Sequence, residues 1–467
     1  MIWNFLNEGN KEFRILVCLI EIWDDDGTSA LPGRLKSDKI TEVESIEISE
    51  SFTQVINSAR IKFPKGTVLR QTITNKTEEP EIKFNSEYMI SYVKNGAKIA
   101  GSADFSVGRR IAIRLGYTDN PDFVKLSNAK EPYNIYNNDD AYNDYCNGMN
   151  YFFSGYITQC STEEPIEIKC ENRGHLLRNT MVQFTGSEDN LTVYDFLADG
   201  SRFNLLKDID LKLHPDVKSK DLYVGKFSPD KPMTLYELLS SWAKKHLYSF
   251  IVRDGDIDYL VVARSSHTNV DYDSVNKMAQ VGRNRTMLDI DFDIDVANNG
   301  LTLSKIDPFS LAVRASGTDK DGKQLRVVVA FNPNMTDPTK NLCRTISQSG
   351  QTKKDKKAGK ASDKVSLKGF TILDYHSEET LEDMDQLIHY ADQYLLDYNK
   401  NGMDGTLELF GDYGDYYLYP GSVVHLLDNR HPAKNGKYVV GEVVTRFGVK
   451  GYRRIIKLPY CLRLDIG

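Results

Sequence analysis

The sequence predicts a mainly β fold with an α/β middle region between two strand-rich ends. Period-two alternation of apolar and polar residues dominates both ends of the 467-residue chain, the mark of strands with one buried face. Helical spacing with capping signals is concentrated between residues 190 and 265. The 26 Tyr and 20 Phe are residue types that favour pleated, half-buried positions.

The first strand is expected over Phe13 to Ile22, FRILVCLIEI, which is β-branched and short for a helix. Asp24, Asp25, Asp26 and Gly27 then open a polar loop running to about Ser37. Ile46 and Ile48 alternate with acids, and Ala59, Ile61 and Phe63 alternate with Ser58, Arg60 and Lys62, before Pro64 and Gly66 close the run. A strand pair is expected over Tyr88 to Val93 and Arg110 to Tyr117, with Gly108 at the turn. Residues 118–150 are rich in Asn, Asp and Tyr and read as a surface insertion. YFFSGYIT (Tyr151 to Thr158) and PIEIKCENRGHLL (Pro165 to Leu177) read as adjacent antiparallel strands joined near Thr162 to Glu164.

In the middle, Thr192 with Asp195 caps a short helix over Val193, Phe196 and Leu197. Thr234 with Glu237 makes a capping box, and Leu235, Leu238, Leu239 and Trp242 share the following helix face. FIVRDGDIDYLVVAR is a hairpin with Asp254-Gly255 as its turn signal. Strands resume with LDIDFDIDV, where Asp289, Asp291, Asp293 and Asp295 fall on one face opposite Ile290, Phe292 and Ile294. SLAVRAS and QLRVVVAF follow. Ser347 to Lys364 is polar, with six lysines and two aspartates within 353–364, and reads as a mobile loop. Thr380 caps a helix whose stripe is Leu381, Met384, Ile388, Ala391 and Leu395. TLELFG, SVVHLL, KYVVGEVVTRFG and YRRIIKLPY close the chain as strands.

Composition narrows the function. A net charge of −7 argues against non-specific nucleic-acid binding, which needs a basic surface. Six scattered cysteines, without CxxC spacing, read as thiols in a reducing compartment. The N-terminus lacks the basic and apolar regions of a signal peptide, and the apolar run Ile15 to Ile20 is far short of a membrane span.

The candidate chemistry is thin. Gly317 to Gln324, GTDKDGKQ, nearly matches a phosphate-binding loop, but Gln324 stands where a hydroxyl must meet magnesium, and a strand follows instead of a helix. The aspartates at 289–295 lack the glycine of a calcium loop, because Ile294 holds the sixth place. Four carboxylates on one strand face require water, a cation or a basic partner, so this strand is expected to be a solvated or channel-facing wall. The histidines, among them His175, His246, His376, His389, His425 and His431, form no zinc-binding repeat. No serine-hydrolase elbow is present. Among 66 acids a glycosidase pair could arise by chance. The expectation is therefore no enzyme, no metal and no cofactor. Lys353, Lys354, Lys356, Lys357 and Lys360 form a candidate partner-contact loop.

Taken in order, ESFTQVINSARIKFP, VGRRIAIRLGY, FFSGYIT and IEIKCENRGHLL, then GTLELFGDYGDYYLYPGSVVHLL and GKYVVGEVVTRFGVKGYRRIIKL, resemble the baseplate hub family of phage tails and contractile injection systems. Late control proteins and the hub portions of spike proteins belong to that group. The match lies in Ser58 to Pro64, Gly108 to Tyr117, Ser154 to Thr158, Pro420 to Val424 and Tyr438 to Thr445. The resemblance implies two related β-barrel hub domains, over 1–180 with the insertion 118–150, and over 281–467 with a helix near 380–398 and the loop 347–364. A small mixed α/β domain spans 181–280. Gly108, Gly116, Gly155 and Gly421 would be fold-defining turns or crowded strand crossings.

By the same resemblance the chain is a structural hub, a homotrimeric ring adapting a threefold central spike to a sixfold tail tube. The implied partners are itself, the tail tube protein, a separate central spike protein, and wedge or other baseplate proteins. Tape-measure protein or DNA would meet it only in passage through the lumen, which Asp289, Asp291, Asp293 and Asp295 would face. The chain ends soon after its last strand, so the spike is expected as a separate protein. The implied place is the virion tail baseplate, assembled in the host cytoplasm. The alternatives are a tail-associated peptidoglycan hydrolase and a cell-surface carbohydrate-binding β-sandwich protein.

Overall fold

The computed structural model describes residues 15–23, 38–71, 84–85, 89–90, 97–118, 149–182, 188–209, 211–215, 217, 219–220, 222–227, 232–243, 247–254, 257–264, 288–303, 311–319, 321–331, 343–351, 370–381, 383–398, 402–411 and 418–465. The first end comprises β1 (Ile15–Trp23), β2 (Asp38–Ile40), β3 (Ser45–Ser51), β4 (Ser58–Lys62), β5 (Val68–Gln71), β6 (Phe84–Asn85), β7 (Met89–Ile90), β8 (Ala97–Ile99), β9 (Arg110–Thr118), β10 (Met149–Cys160) and β11 (Glu167–Asn172). The middle holds β12 (Met181–Val182), β13 (Glu188–Thr192), α1 (Val193–Leu197), β14 (Lys212–Leu213), β15 (Tyr223–Phe227), β16 (Met233–Thr234), α2 (Leu235–Ala243), β17 (Leu247–Asp254) and β18 (Ile257–Arg264).

The second end begins with β19 (Leu288–Asp291), β20 (Val296–Asn299), β21 (Thr302–Leu303), β22 (Leu311–Asp319), β23 (Gln324–Phe331), β24 (Cys343–Gln351), β25 (Thr371–Leu381) and α3 (Met384–Tyr398). It closes with β26 (Met403–Phe410), β27 (Val423–Leu427), β28 (Gly436–Val439), β29 (Glu442–Gly448), β30 (Gly451–Leu458) and β31 (Tyr460–Leu464).

The chain is mainly β, with the mixed region in the middle. Its largest sheet runs β20-β26-β30-β29-β3-β4-β11-β10-β9-β1-β2-β5-β8, with β21 also on β26. One face of β1, β3, β4, β9, β10 and β11 carries Ile20, Ile46, Ile48, Ile61, Ile111, Ile113, Ile157 and Ile168, all fully shielded. The sheet covers that face by curling into a half-barrel over Phe63, Phe105 and Phe152.

The two β ends are not separate bodies. Strand β29 pairs antiparallel with β3 along seven residue pairs, from Glu442 with Ser51 to Gly448 with Ser45. The β29–β30 hairpin feeds both cores. Phe447 and Tyr452 enter the first, while Val443 and Ile456 enter the second. That second core lies between the end of the large sheet and a smaller sheet, β19-β27-β28-β31. The switch between sheets falls inside KYVVGEVVTRFG: Val440 donates to Ser422 O, and Gly441 donates to Lys457 O. Tyr438 to Thr445 is therefore two strands in two sheets, where the sequence suggested one.

Residues 304–402 form an excursion. Thr302 pairs with Asp404 and Leu303 with Met403, so the chain departs and returns at adjacent points. Within it β24-β23-β22-β25 form a sheet, and α3 packs on one face through Leu387, Ala391 and Leu395 against Val313, Ala315, Leu325, Val327 and Val329. The middle region packs α2, through Leu235, Leu238, Leu239 and Trp242, against Leu247, Ile251, Leu260 and Val262. Phe52 and Val55, in the β3–β4 connection, anchor it to the first end.

Several expectations are corrected. Met89–Ile90 pairs with Phe84–Asn85, not with β9, whose partners are β1 and β10. Thr380 lies in β25 and does not cap α3; Asp383 does, its Oδ1 accepting from Gln386 N at 2.9 Å. Asp254, expected in the turn, is the last residue of β17 and still pairs with Ile257. Ser347 to Gln351 belongs to β24, not to a loop. GTDKDGKQ, where a strand in place of a helix pointed to a hairpin turn and not a phosphate loop, is indeed the β22–β23 hairpin: Asp319 Oδ1 accepts from Asp321 N and Lys323 N, and Gly322 has φ +73.

Candidate assembly surface and acidic segment

Strand registers place several turns at one end of the large sheet. Rows such as Cys160–Ile168–Ile61–Ile46–Phe447 run across it. Beyond them, at the same end, stand the turn before β9, the 162–165 turn and the β29–β30 turn. The turn between β19 and β20 joins this rim, because Asp295 O accepts from Phe410 N and Phe410 pairs with Arg453. Of the four exposed large hydrophobics among the described residues, three stand on this rim: Val107 at 66 %, Ile294 at 64 % and Val449 at 81 % exposure. Val107 belongs to the first β end, and Ile294 and Val449 to the second.

The aspartates do not form a ladder. β19 ends at Asp291, and residues 292–295 are a turn. Asp295 Oδ2 accepts from Asp291 N at 2.7 Å, and Asp291 Oδ1 accepts from Asp293 N at 2.8 Å. Aspartate carboxylates compete for backbone N–H groups and favour turns, which breaks the strand. Asp293 instead meets Arg430 at 3.0 Å. Asp289 stays in β19 and reaches His425 Nδ1 at 3.0 Å, while His425 Nε2 meets Asp465 Oδ2 at 2.5 Å. Burial opposes a charged His425, but its hydrogen bonds to Asp465 and Asp289 outweigh that and raise its pKa above the usual histidine value.

Nearby, Asp428 accepts from Arg430 N, His431 N and Lys434 Nζ. Burial would raise its pKa, yet the bond from Lys434 and those from the His431 and Arg430 backbone hold it below the usual carboxylate range. Among the described residues no group of three or more His, Cys, Asp or Glu could hold a metal ion.

The candidate glycines take different roles. Gly108 (φ +94) and Gly421 (φ +89) sit in turns that need the left-handed region. Gly155 is a crowded crossing: a Cβ there would lie 2.0 Å from Glu171 O. Gly116 is neither a turn nor a loop residue but a buried strand position between Val17 and Met149. Lys353, Lys354, Lys356, Lys357 and Lys360 lie outside the described residues, as does most of the insertion 118–150.

Sequence reading missed the seam between the two cores. On the inner face of β29–β30, Thr445 and Arg454 pair between Phe447 and Tyr452 on one side and Val443 and Ile456 on the other. Both are buried. Arg454 Nη2 donates to Leu418 O at 2.7 Å, and its guanidinium stands 5.3 Å from the Phe152 ring centroid. The signal was present: Tyr452, Arg454, Ile456 and Leu458 alternate, so a charge falls on an apolar face.

No known family pattern matches the chain, and no curated protein matches it in sequence. Among solved structures it is similar to the tail protein from Neisseria meningitidis MC58, with 10% identity, a TM-score of 0.49, and 95% of this chain and 96% of that one covered. It is also similar to the 43 kDa tail protein of prophage MuSo2 from Shewanella oneidensis, with 10% identity, a TM-score of 0.47, and 95% and 98% covered. A chain of the lidded Francisella PdpA-VgrG complex is similar with 11% identity, a TM-score of 0.46, and 98% and 55% covered.

Proposed function

We propose that this chain is a structural baseplate hub of a phage tail or related injection particle. Three copies form a ring that adapts a threefold central spike to a sixfold tail tube. The observation that carries the reading is the β3–β29 seam, which fuses the two β ends edge to edge in each protomer. Three copies of such a pair supply six β positions around an axis, and the shared sheet fixes the spacing within each pair. The ordered strand motifs that resemble the hub family support the same reading.

The rim bearing Val107, Ile294 and Val449 is assigned to the tube side, since it is the end of the large sheet where both β ends expose apolar side chains. Both β ends contribute to it, as a pseudo-sixfold contact requires. The role is mechanical, in the tail baseplate, and the reading gives the chain no catalytic step. Heterologous contacts close the ring.

Co-expression with tube and spike subunits tests this. Wild-type protein is expected to co-purify with both. Val449→Asp combined with Val107→Asp is expected to lose the tube subunit while keeping spike and self-association. Retention of the tube by that variant would overturn the rim assignment, and failure of the wild type to bind either subunit would overturn the hub reading.

A further inference from the structure

We infer that His425 is a proton-operated latch that fastens the acidic segment and the C-terminal strand onto β27. The inference is independent of the hub reading and concerns the chain alone. In the sheet β19-β27-β28-β31, His425 is gripped from two sides. Asp289, its register partner on the parallel strand β19, takes Nδ1 at 3.0 Å. Asp465, following β31 two strands away on the other side, takes Nε2 at 2.5 Å. Asp465 is itself placed by its N–H, which donates to Asn435 O at 2.9 Å.

Both partners are carboxylates, which when ionised only accept hydrogen bonds. A neutral imidazole carries a single N–H, so it can satisfy one arm and must turn a lone pair toward the other. The two-armed geometry therefore requires the imidazolium. Among the described residues, Lys437 is its register partner on β28. Asp428, beyond the end of β27, is engaged with Lys434. Burial works against a positive ring and the two carboxylates work for it, with a net rise in pKa.

A histidine whose folded pKa exceeds its unfolded value contributes stability fully below the unfolded value and loses it as pH rises through the folded one. The latch is closed in mild acid. Above the folded pKa one arm opens, and the acidic segment or the C-terminal strand loses its tie.

Two measurements on the full chain test this. An NMR titration of the His425 ring is expected to give a pKa above 6.5 in the wild type, and a lower one in Asp289→Asn and in Asp465→Asn. Hydrogen exchange, corrected for the intrinsic pH dependence, is expected to show about tenfold lower protection of the β28–β31 amides for each pKa unit lost. That protection should fall as pH rises through the folded pKa in the wild type and be low throughout in His425→Gln. A ring pKa at or below 6.5, or wild-type pH dependence in both Asp465→Asn and His425→Gln, would overturn the latch. If His425→Gln does not fold, the two aspartate variants decide the matter, since both keep the histidine.

Discussion

Arg454 is the residue on which the two β ends most visibly depend. Its guanidinium is shielded between two apolar cores, donates to Leu418 O and lies near the Phe152 ring. Its stem also packs where no solvent reaches. Arg454→Ala is expected to lower the unfolding free energy by about 3 kcal/mol, from a lost charge-assisted hydrogen bond together with lost packing. Urea denaturation checks this, and an effect near zero would mean the seam does not use the arginine. Glycines give a second comparison. Gly155→Ala drives a Cβ against the Glu171 carbonyl and is expected to cost about 3 kcal/mol. Gly108→Ala meets open space and is expected to cost about 1 kcal/mol, for a positive φ alone. Cysteine reactivity is a third. Burial, with Glu42 adding to it, pushes the Cys18 thiol up to about 12, whereas Cys160 is partly exposed. Alkylation of the folded protein in mildly alkaline buffer is expected to label Cys160 well before Cys18, because the thiolate is the reacting species.

Among the elements, α3 illustrates how a sequence signal can be displaced. Its stripe of Ala391 and Leu395 was legible from spacing, and both are fully buried. The cap was not, because Thr380 is held by the sheet: β25 pairs with β22 as far as Leu381. Asp383→Ala is expected to cost about 1 kcal/mol, as for a lost N-cap, and Thr380→Ala is not expected to act through the helix; helix-region hydrogen exchange separates the two. The aspartate run failed as a strand for a local reason, since Asp291 and Asp295 bond backbone N–H groups across a turn. Its real partners, His425 and Arg430, lie far along the chain, and no spacing reveals them. The same holds for Val440-Gly441, where alternation continues while the chain changes sheets. Period two reports that one face is buried; it does not report against which sheet.

At the scale of the molecule, the mainly β class and the mixed middle were legible because burial on one face imposes alternation wherever it occurs. The fusion of the two ends was not, since the pairing of Arg446 with Glu47 joins residues 399 apart. That fusion has a consequence for fragments. Residues 1–180 on their own lack Phe447 and Tyr452 and leave β3 as an open edge. That fragment is expected to bind a hydrophobic dye and to aggregate, while the full chain does neither. Above all, the proposed hub role requires a ring of three. Native mass measurement of the purified full chain, at micromolar concentration and moderate salt, tests it most directly. A stable trimer, free or carrying spike subunits, is expected; a monomer that persists at all concentrations and with the spike protein present would rule out the hub.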